Sequence, residues 1–409
     1  MMGRSAARST WLLLGLLLWL PMGCQQSVAQ SAGGPIVRVC LTQNAERVNV
    51  QSSAQVVARS SAENEPRRLN FPQGAPVPVT LAPEGWHVGN VLMSGGELRL
   101  TPAHDGAIRV DGKAYRGEYR FVPTADNHFD VVNDVPLDSY LKGVLPSELP
   151  RDWHIEAYKA QAITARTYAL FELKTRPPNR AYDIFDDTRS QVYGGMEVES
   201  YKSQRATDET AGVVVAFGPS GQEKIFKAYF SSCCGGVSQS VTDAFNEEAI
   251  PPMVEQSVGG LCNASPKFSW PPIVLTKSEL TRRIRSWGAK RNRPEKDLPG
   301  LARIDVQYQN QFGRPVRFVF TDTRGARYSL SGEETRWACN ADANGGPMLP
   351  SSFFRPVNEQ DLVRFTDGHG WGHGVGLCQW CAEARAEQGV RHEDIVLLAY
   401  PRAKLVRAY

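Results

Sequence analysis

The sequence has 409 residues, 42% of them apolar and 22% charged, which excludes a largely disordered chain and allows two or three domains at roughly 150 residues each. Lys and Arg number 46 against 43 Asp and Glu, and a formal net charge of +3 is too mild for a nucleic-acid footprint. With 36 Gly and 27 Pro, the chain is rich in turn formers and is not a helical bundle.

Residues 1–29 read as an export leader. Arg4 and Arg8 precede the apolar run Trp11–Leu20, which is half of what a bilayer span needs. Two exits follow. Gly23-Cys24 resembles a lipoprotein cleavage point that would leave Cys24 lipid-bearing, although Pro21 stands where Leu is usual. Ser27-Val28-Ala29 is a small-x-small site for soluble export. The mature chain is expected outside the cytoplasm, in the periplasm or cell envelope. Its one route to a membrane would be the lipid on Cys24.

From Ile36 the pattern is strand-like: Ile36, Val37, Val39 and Leu41 lead into Val48 and Val50. Short β segments are predicted at Val77–Leu81, Val91–Met93, Leu98–Leu100, Ile108–Val110 and Tyr115–Val122, with Gly, Pro, Asn and Asp between them. The period then changes. Asp138 is placed to cap a short helix through Leu141 and Val144, which Pro146 ends, leaving Glu148 on a loop between Pro146 and Pro150. Asp152 is the expected N-cap of a long central helix over His154–Lys174, stopped by Pro177-Pro178. Asp208 or Thr210 begins the next segment, and Val213–Phe217 and Ile225–Phe230 form a hairpin about Gly218-Pro219-Ser220-Gly221. Thr276-x-x-Glu279 opens a helix to about Trp287. Residues 288–299 read as a mobile, basic connector. Ile304–Tyr308 and Val316–Phe320 read as another hairpin. The chain closes with a Gly/His loop at 368–376 and a helix near 378–388.

The expected class is therefore α+β. A β-rich N-terminal region (36–133) precedes a mixed part carrying Glu148, the central helix and SSCCGG (134–260). A helix and hairpin insertion (261–367) and a C-terminal Gly/His loop and helix (368–409) follow.

Three places can carry chemistry. The first is Glu148. Most glutamates are exposed and inert, but Leu145, Pro146, Leu149, Pro150 and Trp153 can desolvate this one, which raises its pKa and suits it to general acid catalysis. The second is the loop with His369 and His373. Their spacing of four would suit a helical metal pair, but the glycines between 368 and 376 disfavour a helix, and a tight turn with backbone-bonded imidazoles is the plainer reading. The third is the cysteine set. Beyond Cys24 there are Cys40, Cys233, Cys234, Cys262, Cys339, Cys378 and Cys381, an odd number. Cys378-x-x-Cys381 opens a helix, and Cys233-Cys234 is its candidate spatial partner. Disulfides, a structural zinc and free thiols all remain open.

With these residues assembled, the chain resembles the stage II sporulation protein D / LytB family (SpoIID domain). Four motifs carry the resemblance. The first runs through AYRGEYRF at 114–121 to FDVVNDVPLDSYLKGVLPSELPRDWHIEAYKAQAITARTYAL from 129. The others are YDIFDDTRSQVYGG at 182–195, AYFSSCCGG at 228–236 and GWGHGVGLCQW at 370–380. The resemblance implies a peptidoglycan lytic transglycosylase whose catalytic glutamate falls at Glu148. Some relatives bind zinc through a Cys/His/Cys set in the second motif. Phe185, Arg189 and Ser190 stand at the matching positions, so no metal is expected in the 182–195 loop. Cysteines at 233, 234, 378 and 381 replace small or hydroxyl residues common in relatives. Both segments would be brought to one cleft, with Cys262 nearby.

In this reading Glu148 protonates the oxygen between N-acetylmuramic acid and N-acetylglucosamine, then takes the proton of the muramic C6 hydroxyl as a 1,6-anhydro ring closes. Arg166, Tyr168, Gln191, Tyr193, His373 and Gln379 are the expected substrate-binding residues, with core packing the rival role for each. No cofactor is expected beyond a structural zinc on the cysteines. The expected partners are peptidoglycan glycan strands and, in the alternative reading of a non-catalytic module, a cell-wall amidase that it enhances. A hydrolase pairing Glu148 with Asp186 or Asp187 is the third reading.

Overall fold

The computed structural model describes residues 34–72, 74–103, 107–177 and 179–409. The expected leader, with Cys24 and the 27–29 site, lies outside them. The N-terminal region is two sheets facing each other, antiparallel except where 184–185 joins 36–45 in parallel. One runs, edge to edge, through residues 184–185, 36–45, 129–136, 118–123, 98–102, 56–60 and 67–69; the other through 113–115, 108–110, 47–52, 77–82, 85–88 and 91–93. Alternating apolar positions explain the pairing. Val48, Val50, Val77, Val79, Leu98 and Leu100 all turn into one core. Trp86 of the second sheet meets Phe121 and Phe129 of the first edge-on, at 6.1 and 5.1 Å.

Strand 129–136 delivers the chain to helix α1, Leu137–Glu148. The prediction that Pro146 ends this helix is corrected: Pro146 lies inside its last turn and Glu148 is the final helical residue. The missing amide costs one bond, but the Ser147 hydroxyl donates to Gly143 O and Leu149 N–H to Leu145 O, so the turn closes around the proline. Helix α2 follows, Ile155–Thr175. Its N-cap is His154 rather than Asp152. The imidazole Nδ1 accepts from Glu156 N–H at 3.2 Å, and the Glu383 carboxylate accepts from His154 N–H. Every residue of α2 from Ala157 to Leu170 is buried, as its run of alanines permits, so it is the central post of the molecule.

Helix α3, Tyr201–Glu209, occupies the place where Asp208 or Thr210 was expected to start a segment; Ser200 caps its start and Thr210 ends it. Strand 213–217 pairs with 224–225, as expected for a hairpin, and also with 404–407. The second arm is shorter than predicted. Residues Phe230–Ser231 leave it to pair in parallel with Leu377–Cys378. Helix α4, Val241–Phe245, follows.

The 261–367 stretch builds its own core from helix α5, Lys277–Lys290, the strands 301–309, 315–322 and 327–331, helix α6, Gly332–Asn340, and the strands 353–358 and 362–369. Thr276 caps α5 by accepting from Glu279 N–H at 3.1 Å. The connector 288–299 is not loose. Gly288–Lys290 finishes α5, and buried Glu295 pairs with Arg293, which also holds Glu334. Helices α7, Gln379–Glu387, and α8, His392–Ala399, close the fold against α2. Among the described residues no helix is long and apolar enough to cross a membrane.

Candidate active site

Glu148 lines a cavity of about 550 Å³, a size that suits a small ligand or part of a chain. Its walls come from several separate segments after the N-terminal sheets. Tyr168 comes from α2, Thr188–Ser190 and Val192 from the second motif, and Lys227 and Tyr229–Ser232 from the third. Trp371–His373 and Gln379 come from the fourth, and Glu333, Arg336 and Trp337 from α6. The closure between the third and fourth motifs depends on a glycine. Gly376 has φ +69°, and a Cβ there would sit 2.1 Å from Tyr229 O, so only glycine lets the two segments pair.

Glu148 ends α1 with its carboxyl enclosed by protein on most sides. Val192 N–H donates to Oε1 at 3.1 Å. Burial pushes its pKa above the ordinary glutamate range, and the Val192 bond and the neighbouring Gln379 amide oppose only part of that rise. No charged group contributes to the shift. Gln379 Nε2 is buried beside the Glu148 carboxyl and has no other acceptor among the described residues. Two other carboxylates stand in the walls, one buried and ion-paired and one exposed. Glu333 is fully buried against Arg336 at 2.6 Å, and Glu247 accepts from Tyr229 Oη at 2.7 Å.

One side is an aromatic wall. Tyr229 stacks on Phe245 at 4.7 Å, and Phe245 on Trp337 at 6.0 Å. Trp371, 43% exposed, carries Lys267 Nζ 4.5 Å over its ring. His373 belongs to this wall, edge-on to Tyr229 and Phe245. Burial lowers its pKa to about 4, and its Nδ1 accepts from Val375 N–H at 3.0 Å. The ring is therefore neutral and held by backbone. His369 ends strand 362–369 between Phe268 and Phe353, away from the cavity.

Tyr168, His373 and Gln379 thus reach the cavity with Glu148, while three other residues expected to bind substrate do not. Arg166 is wholly buried. It pairs with Asp138 at 2.8 Å and donates to the carbonyls of Thr207 and Val213, clamping α2 to α1 and to the next strand. Gln191 accepts from Tyr140 Oη and donates to Ala165 O. Tyr193 donates to Asn133 Oδ1 within a cluster with Tyr115 and Tyr140. Each spends its polar atoms on the scaffold. Asp186 and Asp187 also lie outside the cavity walls. Burial, with Asp187 alongside, raises Asp186 to about 6, and Asp187 is tied to Arg189 at 2.8 Å. In the same loop Ser190 Oγ accepts from Phe185 N–H, and the Arg189 guanidinium stacks 3.7 Å over the Phe185 ring.

Residues 125–217 match the family model described as stage II sporulation protein, SpoIID. Over those residues the chain is similar to the SpoIID domain. It is 29% identical over 301 residues to an uncharacterized protein of Brachyspira hyodysenteriae, covering 73% of each chain. It is 27% identical over 352 residues to the amidase enhancer of Bacillus subtilis, covering 77% of this chain and 48% of that one, so the match spans about half of that relative. It is 25% identical over 291 residues to the stage II sporulation protein D of Bacillus subtilis, covering 68% of this chain and 76% of the other.

The SpoIID match contains Glu148, Tyr168 and the 188–192 wall, whereas the rest of the cavity lies outside residues 125–217. Lys227, Tyr229 and Trp371 stand inside or beside quoted motifs and could have been found by looking for exposed aromatics and cations there. Phe245 and Trp337 carry no such signal, because only the tertiary fold brings α4 and α6 to the cavity.

The cysteines converge beside this site. Cys233, Cys234, Cys262, Cys378 and Cys381 form one buried cluster. Cys40 and Cys339 are buried elsewhere in the fold.

Proposed function

We propose that the protein is a lytic transglycosylase of peptidoglycan glycan strands acting in the cell envelope. The SpoIID match and the names of the relatives support a cell-wall role, and the finer reading rests on one observation. The pKa of Glu148 is raised by burial with no charged partner, and the other wall carboxylates are engaged elsewhere, Glu333 with Arg336 and Glu247 with Tyr229 Oη. A hydrolase needs a second carboxylate to activate water or to attack. A transglycosylase uses one residue twice. Protonated Glu148 gives its proton to the glycosidic oxygen as the C1–O bond breaks. Its carboxylate then takes the proton of the C6 hydroxyl as the C1–O6 bond forms. No water is consumed and Glu148 ends protonated. The aromatic wall of Tyr229, Phe245 and Trp337 offers faces for sugar rings, and Gln379 Nε2 a donor for an acetamide or hydroxyl.

The name of the Bacillus subtilis amidase enhancer favours a second reading, a glycan-binding module that stimulates a cell-wall amidase. The ends left on purified glycan strands decide between the two. Anhydro-muramic ends support transglycosylation, reducing ends mean hydrolysis, and intact strands leave the enhancer.

A further inference from the structure

We propose that Cys234, Cys262, Cys378 and Cys381 form a tetrahedral zinc site that fixes the cavity wall carrying Gln379. The four Sγ atoms all lie within 4.8 Å of one another, with Cys234 to Cys262 at 3.7 Å and Cys234 to Cys381 at 4.0 Å. Zinc held about 2.3 Å from four sulfurs sets tetrahedral edges of about 3.8 Å. A disulfide would instead bring sulfurs to about 2 Å in separate pairs. A four-iron cluster would hold its thiolates much further apart, around the cluster's own bulk. The arrangement fits one small ion with four thiolate ligands.

The surroundings suit the negative charge of such a centre. Cys234 N–H donates to Cys378 Sγ at 3.3 Å, the backbone contact that supports a metal thiolate. Arg314 is 1% exposed and has no carboxylate within ion-pair distance among the described residues. Its guanidinium donates to Cys234 O and Val237 O, and its Nε finds no acceptor. Gly374 makes room for it, since a Cβ there would sit 2.3 Å from Nη1. Four thiolates around one Zn²⁺ leave a net charge of −2, which adds to the field of Glu333 in balancing this buried cation.

The ligands come from three separate segments, and two of them bracket Gln379. Trp380, between them, packs edge-on against Trp153 at 4.9 Å, and its N–H donates to Ser232 O, in the opposite wall segment. The metal would therefore join the third and fourth motifs directly behind the cavity and hold the Gln379 amide beside Glu148. The site is distinct from the 182–195 loop, where relatives of this kind were expected to carry their metal.

The test is metal content of the full chain, purified without chelator. About one zinc per chain is expected by elemental analysis, retained through gel filtration. Cys262→Ser and Cys381→Ser should each lower it below about a tenth, while Cys339→Ser leaves it unchanged. Where a variant fails to fold, Co²⁺ exchange into the wild-type chain decides: tetrahedral tetrathiolate bands support the site, and their absence overturns it. Metal-free folded wild-type protein, or disulfides among these four cysteines by peptide mapping, would also overturn it. None of these readouts depends on glycan cleavage, so the zinc site and the proposed activity stand or fall separately.

Discussion

Val192 N–H donates to Glu148 Oε1 at 3.1 Å, and this one bond ties the end of the first helix to the QVYGG segment 44 residues later. The acid is thus held by backbone rather than by a partner charge. It can gain or lose a proton without breaking an ion pair, and its acidity is set by how dry the cavity is.

Glu148→Gln should keep the fold and glycan binding and lower turnover by about 10²–10⁴ or more, since the amide is isosteric but cannot give a proton. Anhydro-end formation against strand binding separates the two effects. Turnover near wild type would sink the single-acid mechanism.

The raised pKa of Glu148 also has a stability signature. The folded state binds this proton more tightly than the unfolded state, so stability is lost as pH rises from the ordinary glutamate range through the raised value. Gln carries no charge to desolvate. Glu148→Gln should therefore melt above wild type at pH 8, and the gap should close at acid pH. Thermal melts at the two pH values check this. The alkaline limb of the cleavage profile should fall with the same group.

Trp371→Ala should weaken glycan binding by about 0.5–1.5 kcal/mol with little change in melting temperature, because the ring lines the cavity and is half in solvent. Titration of glycan strands into the variant reads this directly. Unchanged affinity would remove Trp371 from the binding surface.

Arg166→Met should destabilise the fold by about 3–5 kcal/mol, since Asp138 and two carbonyls lose a buried partner. Cleavage per folded molecule should be retained. Denaturant melts paired with activity at low temperature test both halves. A stable but inactive variant would return Arg166 to the substrate site.

What could be read in the sequence follows what is local. Alternating valines announce the N-terminal strands, and Thr276 with Glu279 announces a helix start, because these signals sit within a few residues. Helix α6 has an equally local signal, a capping box of Ser331 and Glu334. Helix α3 hid because its surface is polar and no apolar stripe marks it. The acid was legible from its apolar neighbours. The residues around it were not, because Arg166, Gln191 and Tyr193 look like ligands until burial shows their polar atoms already engaged. Phe245 and Trp337 were beyond reach for the opposite reason: each looks like ordinary core until the fold opens a cavity beside it.

The two-residue parallel pairing of Phe230–Ser231 with Leu377–Cys378 has a consequence for the order in which the molecule can assemble. Its partners are 147 residues apart, so this loop closes late, after the local hairpins and α2 have formed. Until residues 371–379 arrive, Glu148 lacks Gln379 and the far wall, water reaches its carboxyl, and its acidity returns towards that of any exposed glutamate. A chain whose residues 371–379 had not yet docked would carry Glu148 without the dry chamber around it.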